Sequence, residues 1–157
     1  GWYKRPILMA YMMNSYDYYY GWNRLSEVFK EPWASEIPDY FDGTQGIDVI
    51  NSRMPQALDS LMVESFIDDY KTGGETEFRN AVRENSLLNY LPSAPVRLIH
   101  GNADRTVPYS NSLAALEFYE SQNKTNVDMV TVEGDHQTAA EAAIVGAMIW
   151  FKSLQEK

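Results

Sequence analysis

Two short apolar runs in the second half of the chain each end in a residue able to do proton chemistry. Val96-Arg97-Leu98-Ile99-His100-Gly101 is followed by Asn102-Ala103-Asp104, and Val127-Asp128-Met129-Val130-Thr131-Val132 is followed by Glu133-Gly134-Asp135-His136. The β-branched and apolar content of both runs predicts buried strands. Pro95 marks the start of the first strand, and Gly101 permits a turn that a Cβ would resist. A carboxylate just past one strand end and an imidazole just past the next would meet where open α/β sheets place their working groups. Asp104 would then hold one ring nitrogen of His136, fixing the tautomer and stabilising the imidazolium. The other nitrogen would serve as a general base.

Simpler roles compete with these. Asp104 could bond its own turn backbone, and His136 could cap the last helix. Asp135 adjoins the histidine, but neighbours on an extended segment point apart, so it ranks below Asp104. A trio of His100, Asp104 and His136 has the chemistry of a metal site. Packing at the strand end is the better reading of His100, and no metal or other cofactor is expected.

The elements that must position these residues follow in the order strand, helix, strand, helix over 94–157. Tyr109, Leu113, Leu116 and Tyr119 give the first helix an apolar side. Thr138-Ala139-Ala140-Glu141 reads as a capping box that opens the second helix. Ile144, Val145, Ala147, Met148, Ile149, Trp150 and Phe151 make that helix apolar on most sides, which predicts burial along much of its length. A βαβ order implies parallel strands with a right-handed crossover. Two parallel strands leave edges and faces uncovered, so a larger sheet is expected. The missing cover would come from further chain or from a second copy, with a homo-oligomer as one outcome.

Residues 1–93 predict short helices broken by prolines and glycines, with no convincing strand, in the manner of a cap. The pieces are a helix from Pro6 closed by Gly21, then Ser26 to Lys30, a helix opened by Pro32 and ended by Gly43, and Gly46 to Met54. After Pro55 come Gln56 to Leu61, Val63 to Lys71 and Glu75 to Glu84, with Leu87 to Pro95 as a connecting loop. The tyrosine-rich segment 11–22 packs against core that lies outside these residues, in preference to lining a pocket for an acyl or aromatic group.

The chain of 157 residues carries 22 acidic against 13 basic side chains, a net charge of −9. That balance argues against nucleic acid and against anionic membranes as partners. With no cysteine and two histidines, disulfides, thiolate metal sites and histidine-rich metal sites are excluded. No apolar run reaches the roughly 18 residues of a membrane span. Gly1 in place of an initiator methionine suggests a processed or partial chain.

His100-Gly101-Asn102-Ala103-Asp104-Arg105-Thr106-Val107-Pro108 resembles the acid-bearing loop after strand seven of α/β-hydrolases, and Gly134-Asp135-His136 resembles their histidine loop after strand eight. The run from Glu27 to Gly43, with Ile50-Asn51 and Met54-Pro55, is similar to the helical insertion of bacterial lipase- or esterase-like members, which are often secreted. The resemblance implies an α/β fold in which 1–93 is a helical cap or lid and 94–157 is the last βαβα part of the core. It implies a secreted or periplasmic location, which nothing else in the chain addresses. It also implies Asp104 as triad acid, His136 as triad base and a small ester or acyl compound as substrate. Gly-x-Ser-x-Gly, which carries the nucleophile in that family, is absent from the 157 residues. The expectation is a C-terminal portion of a serine hydrolase, inactive alone and needing the N-terminal half. The alternative is a non-catalytic binding or interaction module of the same fold.

Overall fold

Prolines and glycines cut the first half into short helices, which the computed structural model describes, with the rest of the chain, over residues 3–156. Gly1, Trp2 and Lys157 lie outside the described residues. Helix α1 (Pro6–Tyr20) carries Pro6 in its first turn, where a missing N–H leaves no bond unmade. It ends at Gly21, whose φ of 67° lets the chain turn back so that the Trp22 N–H donates to the Asp17 carbonyl at 3.0 Å. There follow α2 (Leu25–Val28), α3 (Trp33–Tyr40), α4 (Ile47–Arg53), α5 (Leu58–Leu61), α6 (Glu64–Lys71) and α7 (Thr76–Glu84). These are the expected pieces with their ends shifted by a residue or two. Residues 87–95, expected as loop, contain one 3₁₀ turn at Leu87–Asn89, where the Ser86 hydroxyl accepts the Leu88 N–H.

Ile7, Ala10 and Met13 project from one side of α1 and are almost wholly buried. They share a core with Val28, Phe29, Ile37, Leu61 and Phe66. A single antiparallel bridge joins Phe29 and Met62, framed by Lys30 N–H to the Leu61 carbonyl and Val63 N–H to the Val28 carbonyl, each 2.9 Å. The tyrosine-rich segment faces two ways. Tyr16 meets Trp22 and Phe78 edge-on or tilted, and Tyr20 stacks on Trp22 at 5.2 Å. Tyr11, Tyr18 and Tyr19 are exposed along a cleft of about 500 Å³ shared with Phe41 and Asn85.

Packing divides the chain after Asn85 into two units. The stretch before the first strand goes with the second unit. There the Asn126 side-chain amide donates to the Pro92 and Ala94 carbonyls at 3.1 and 2.6 Å, and the Val96 N–H donates to the Asn126 carbonyl. Strands β1 (Val96–Gly101) and β2 (Val127–Val132) pair in parallel, with Val96 opposite Val127 and Gly101 opposite Val132. Helix α8 (Tyr109–Ser121) joins them and packs on both, while α9 (Ala140–Gln155) packs on β1. Arg97 and Asp128, opposite each other in the register, form a two-point ion pair, and the Arg97 guanidinium also lies 5.2 Å from the Trp150 ring centre.

Three expectations are corrected here. The strands are shallower than that, because each has a single neighbour among the described residues; β1 is half-buried with only Gly101 buried, and in β2 Asp128, Val130 and Thr131 are exposed. Helix α9 buries none of its residues, and Ile144, Ile149 and Met148 are 62%, 64% and 59% exposed. Its apolar surface runs around the helix, and β1 covers one side. The capping box does not form, since Ala139 stands at the cap position with no side-chain bond. Asp135, three residues before Thr138, takes that part. Its Oδ1 accepts the N–H groups of Gln137 and Thr138 at 3.0 and 2.9 Å, and Thr138 Oγ1 accepts the Asp135 N–H at 2.8 Å. The reciprocal bonding of a capping box is kept, with an acid in the first position.

The core of the first unit yields a direct test. Ile37 is fully buried, and Ile37→Ala is expected to lower the urea-unfolding free energy of that unit by about 2–5 kcal/mol. Tryptophan fluorescence reads this; a loss below about 1 kcal/mol would show that the site is not close-packed.

Candidate functional site

The loops after β1 and β2 are held together by backbone. The Asn102 N–H donates to the Val132 carbonyl at 2.9 Å and the Ala103 N–H to the Gly134 carbonyl at 3.0 Å, so pairing continues past the strand ends. The Asn102 side chain joins both loops too, accepting the Gly134 N–H at 3.3 Å and donating to Glu133 Oε1 at 2.8 Å. Gly101 is required by this closeness. A Cβ there would stand 2.5 Å from the Gly134 carbonyl oxygen and 2.9 Å from the Ala139 Cβ. Gly134 has a φ of 131° and no room beside Thr138 Oγ1, so it too excludes a side chain.

This staple brings the two predicted residues into contact. His136 Nδ1 lies 2.7 Å from Asp104 Oδ2. The other carboxylate oxygen, Oδ1, accepts the N–H groups of Thr106 and Val107 at 2.8 and 2.9 Å. Asp104 is thus both a turn aspartate and the partner of a histidine, one oxygen for each. Its side chain is 4% exposed, whereas that of His136 is 53% exposed.

Burial on its own would raise the Asp104 pKa. The hydrogen bond from His136 and those from the Val107 and Thr106 amides outweigh it and hold the carboxyl below its ordinary value. An ionised carboxylate only accepts, so His136 carries its proton on Nδ1 and leaves Nε2 as the basic nitrogen. Among the described residues none hydrogen-bonds His136 Nε2, and the half-exposed ring leaves it open to an approaching hydroxyl. A base of this kind can take a proton and return it while the carboxylate balances the charge.

Asp135, the competing partner, is occupied at the start of the helical turn. His100 reaches the same carboxylate from the other side, with Nε2 3.3 Å from Asp104 Oδ2. No group of three or more acidic or histidine residues has metal-site geometry among the described residues, nor is any described helix long and apolar enough to cross a membrane. The parts played by Asn102 and Thr138 have no spacing signature. Asn102 alone left a trace, as a bonding side chain directly after the glycine that ends a strand.

Two parallel strands with acid and histidine at their carboxyl ends, joined to flanking helices, make a partial α/β-hydrolase-like fold. The chain superposes on a protein of Legionella pneumophila named as a putative hydrolase with a TM-score of 0.79 and 22% identity, over 95% of this chain and 40% of that one. It superposes on the rice cell wall degrading esterase LipA of Xanthomonas oryzae with a TM-score of 0.70 and 24% identity, over 94% of this chain and 39% of that one. A ligand-bound form of the same esterase matches over 85% of this chain, also with a TM-score of 0.70. The chain therefore spans about 40% of the length of these structures. No protein-family model matches the chain, and no curated protein sequence matches it.

The depressed Asp104 pKa carries a pH signature. The folded value lies below the unfolded one of about 3.9, so the ionised form favours folding. The stabilisation is complete above the unfolded value and is lost as pH falls through the folded one. Asp104→Asn is expected to lower the urea midpoint of the second unit at pH 7, with the difference from the parent shrinking as the pH falls below the unfolded value. A difference that does not shrink would contradict the ionised, bonded carboxylate.

Proposed function

We propose that this chain is the C-terminal part of a serine hydrolase acting on ester or related acyl bonds. The observation that carries the reading is the 2.7 Å contact between His136 Nδ1 and Asp104 Oδ2 at the ends of neighbouring parallel strands. In this reading Asp104 is the triad acid and His136 the general base. His136 Nε2 takes the proton of an attacking serine hydroxyl, the imidazolium rests against the Asp104 carboxylate, and the proton then passes to the leaving group.

The serine belongs to a preceding part of the polypeptide, since Gly-x-Ser-x-Gly is absent from these 157 residues. The N–H groups that stabilise the oxyanion belong there as well. That part would also cover the open sheet edges and the exposed α9 residues Ile144, Met148 and Ile149. The esterase named in the Xanthomonas oryzae structures supports an acyl substrate, and the helical unit is the cap segment of this reading.

Labelling by a serine-directed phosphonate is the test. The longer polypeptide should label at a Gly-x-Ser-x-Gly serine upstream of residue 1, and the 157-residue chain alone should not. His136→Ala should slow labelling of the longer polypeptide by about 10³-fold or more. A longer polypeptide with no such serine, or one labelled equally well without His136, would overturn the proposal. The first of these results would point to a non-catalytic module with a hydrolase-like fold.

A further inference from the structure

The second histidine of the chain sits behind the acid. The His100 side chain is 11% exposed and fixed at both ring nitrogens. Nε2 lies 3.0 Å from the Val107 carbonyl oxygen, and Nδ1 lies 2.6 Å from Ser112 Oγ on α8. A carbonyl only accepts, so Nε2 carries the proton; Nδ1 then accepts from the Ser112 hydroxyl. The Tyr109 ring meets the imidazole edge-on at 5.7 Å, and its hydroxyl lies 2.6 Å from Thr131 Oγ1, the cross-strand neighbour of His100.

Val107 is the link between this ring and the acid. Its carbonyl accepts the His100 Nε2–H, and its N–H donates to Asp104 Oδ1 at 2.9 Å. Holding Val107 holds the bend over residues 104–107, which ties down Oδ1 and turns Oδ2 towards His136. At 3.3 Å from Oδ2, His100 Nε2 adds a weaker pull on that same oxygen.

We propose that His100 is a positioning residue that orients the Asp104 carboxylate for His136, acting through Val107 and held in turn by Ser112. The proposal rests on the reading of Asp104 and His136 as acid and base. It adds a fixed polar relay from α8 through β1 to the acid, where packing at the strand end is the simpler account of a buried histidine.

The test reads exchange of the His136 Nδ1 proton with water, by NMR of the ring-¹⁵N-labelled chain. His100→Ala should speed that exchange about tenfold, the size of one net hydrogen bond. Amide protection in β1 and β2 should stay unchanged. His100→Gln, whose amide can still donate to the Val107 carbonyl, should recover part of the loss. Ser112→Ala, which keeps the ring but frees Nδ1, should give a smaller rise in the same direction. It carries the test if His100→Ala does not fold.

Asp104→Asn separates the two readings. If it leaves His136 exchange unchanged, the acid–base pairing itself fails. If it speeds exchange while His100→Ala and Ser112→Ala do not, the pairing stands and the positioning role is overturned.

Discussion

The second unit depends on a buried carboxylate with both of its oxygens in use. Asp104 is the one charged residue buried as a whole among the described residues. A buried charge is costly unless it is bonded on all sides. Two backbone amides hold one of its oxygens, and an imidazole nitrogen holds the other. Remove the histidine and one oxygen loses its closest donor. Open the 104–107 bend and the other oxygen loses two. The folding of the loop and the orientation of His136 are thus one physical event.

That event needs the loops to approach more closely than side chains permit. Gly101 and Gly134 supply the space, and Asn102 supplies bonds where the strand ladder would otherwise end. Asp135 and Thr138 then start the turn that carries His136. The chemistry-bearing side chains are few, but residues with no chemical role of their own set their geometry. His136 stays half exposed at the end of this framework, with Nε2 open to solvent.

Much of this was legible in the residues themselves. Two apolar runs, each followed by a glycine and then by an acid or a histidine, located the strands and the meeting of Asp104 with His136. Prolines and glycines located the helices of the first half. Other features were not legible, for physical reasons. Apolar content shows that a surface prefers cover but not whether cover is at hand, so β1 and α9 were expected to be deeper than they are. The pattern Thr138-x-x-Glu141 suits a capping box, yet Asp135 accepts the same turn's amides first. Ser112 and Asn102 act through contacts 12 and 31 residues away, and no local spacing announces those.

The chain has only two histidines, and the hydrogen bonds require them to be opposite tautomers. His100 must carry its proton on Nε2, facing the Val107 carbonyl, and His136 on Nδ1, facing Asp104. A two-dimensional long-range ¹H–¹⁵N spectrum of the imidazole nitrogens, recorded above the histidine pKa range, reads both directly. The account predicts one Nε2–H ring and one Nδ1–H ring, with Asp104→Asn changing the second. Two rings of the same tautomer, or a His136 signal indifferent to Asp104, would contradict it.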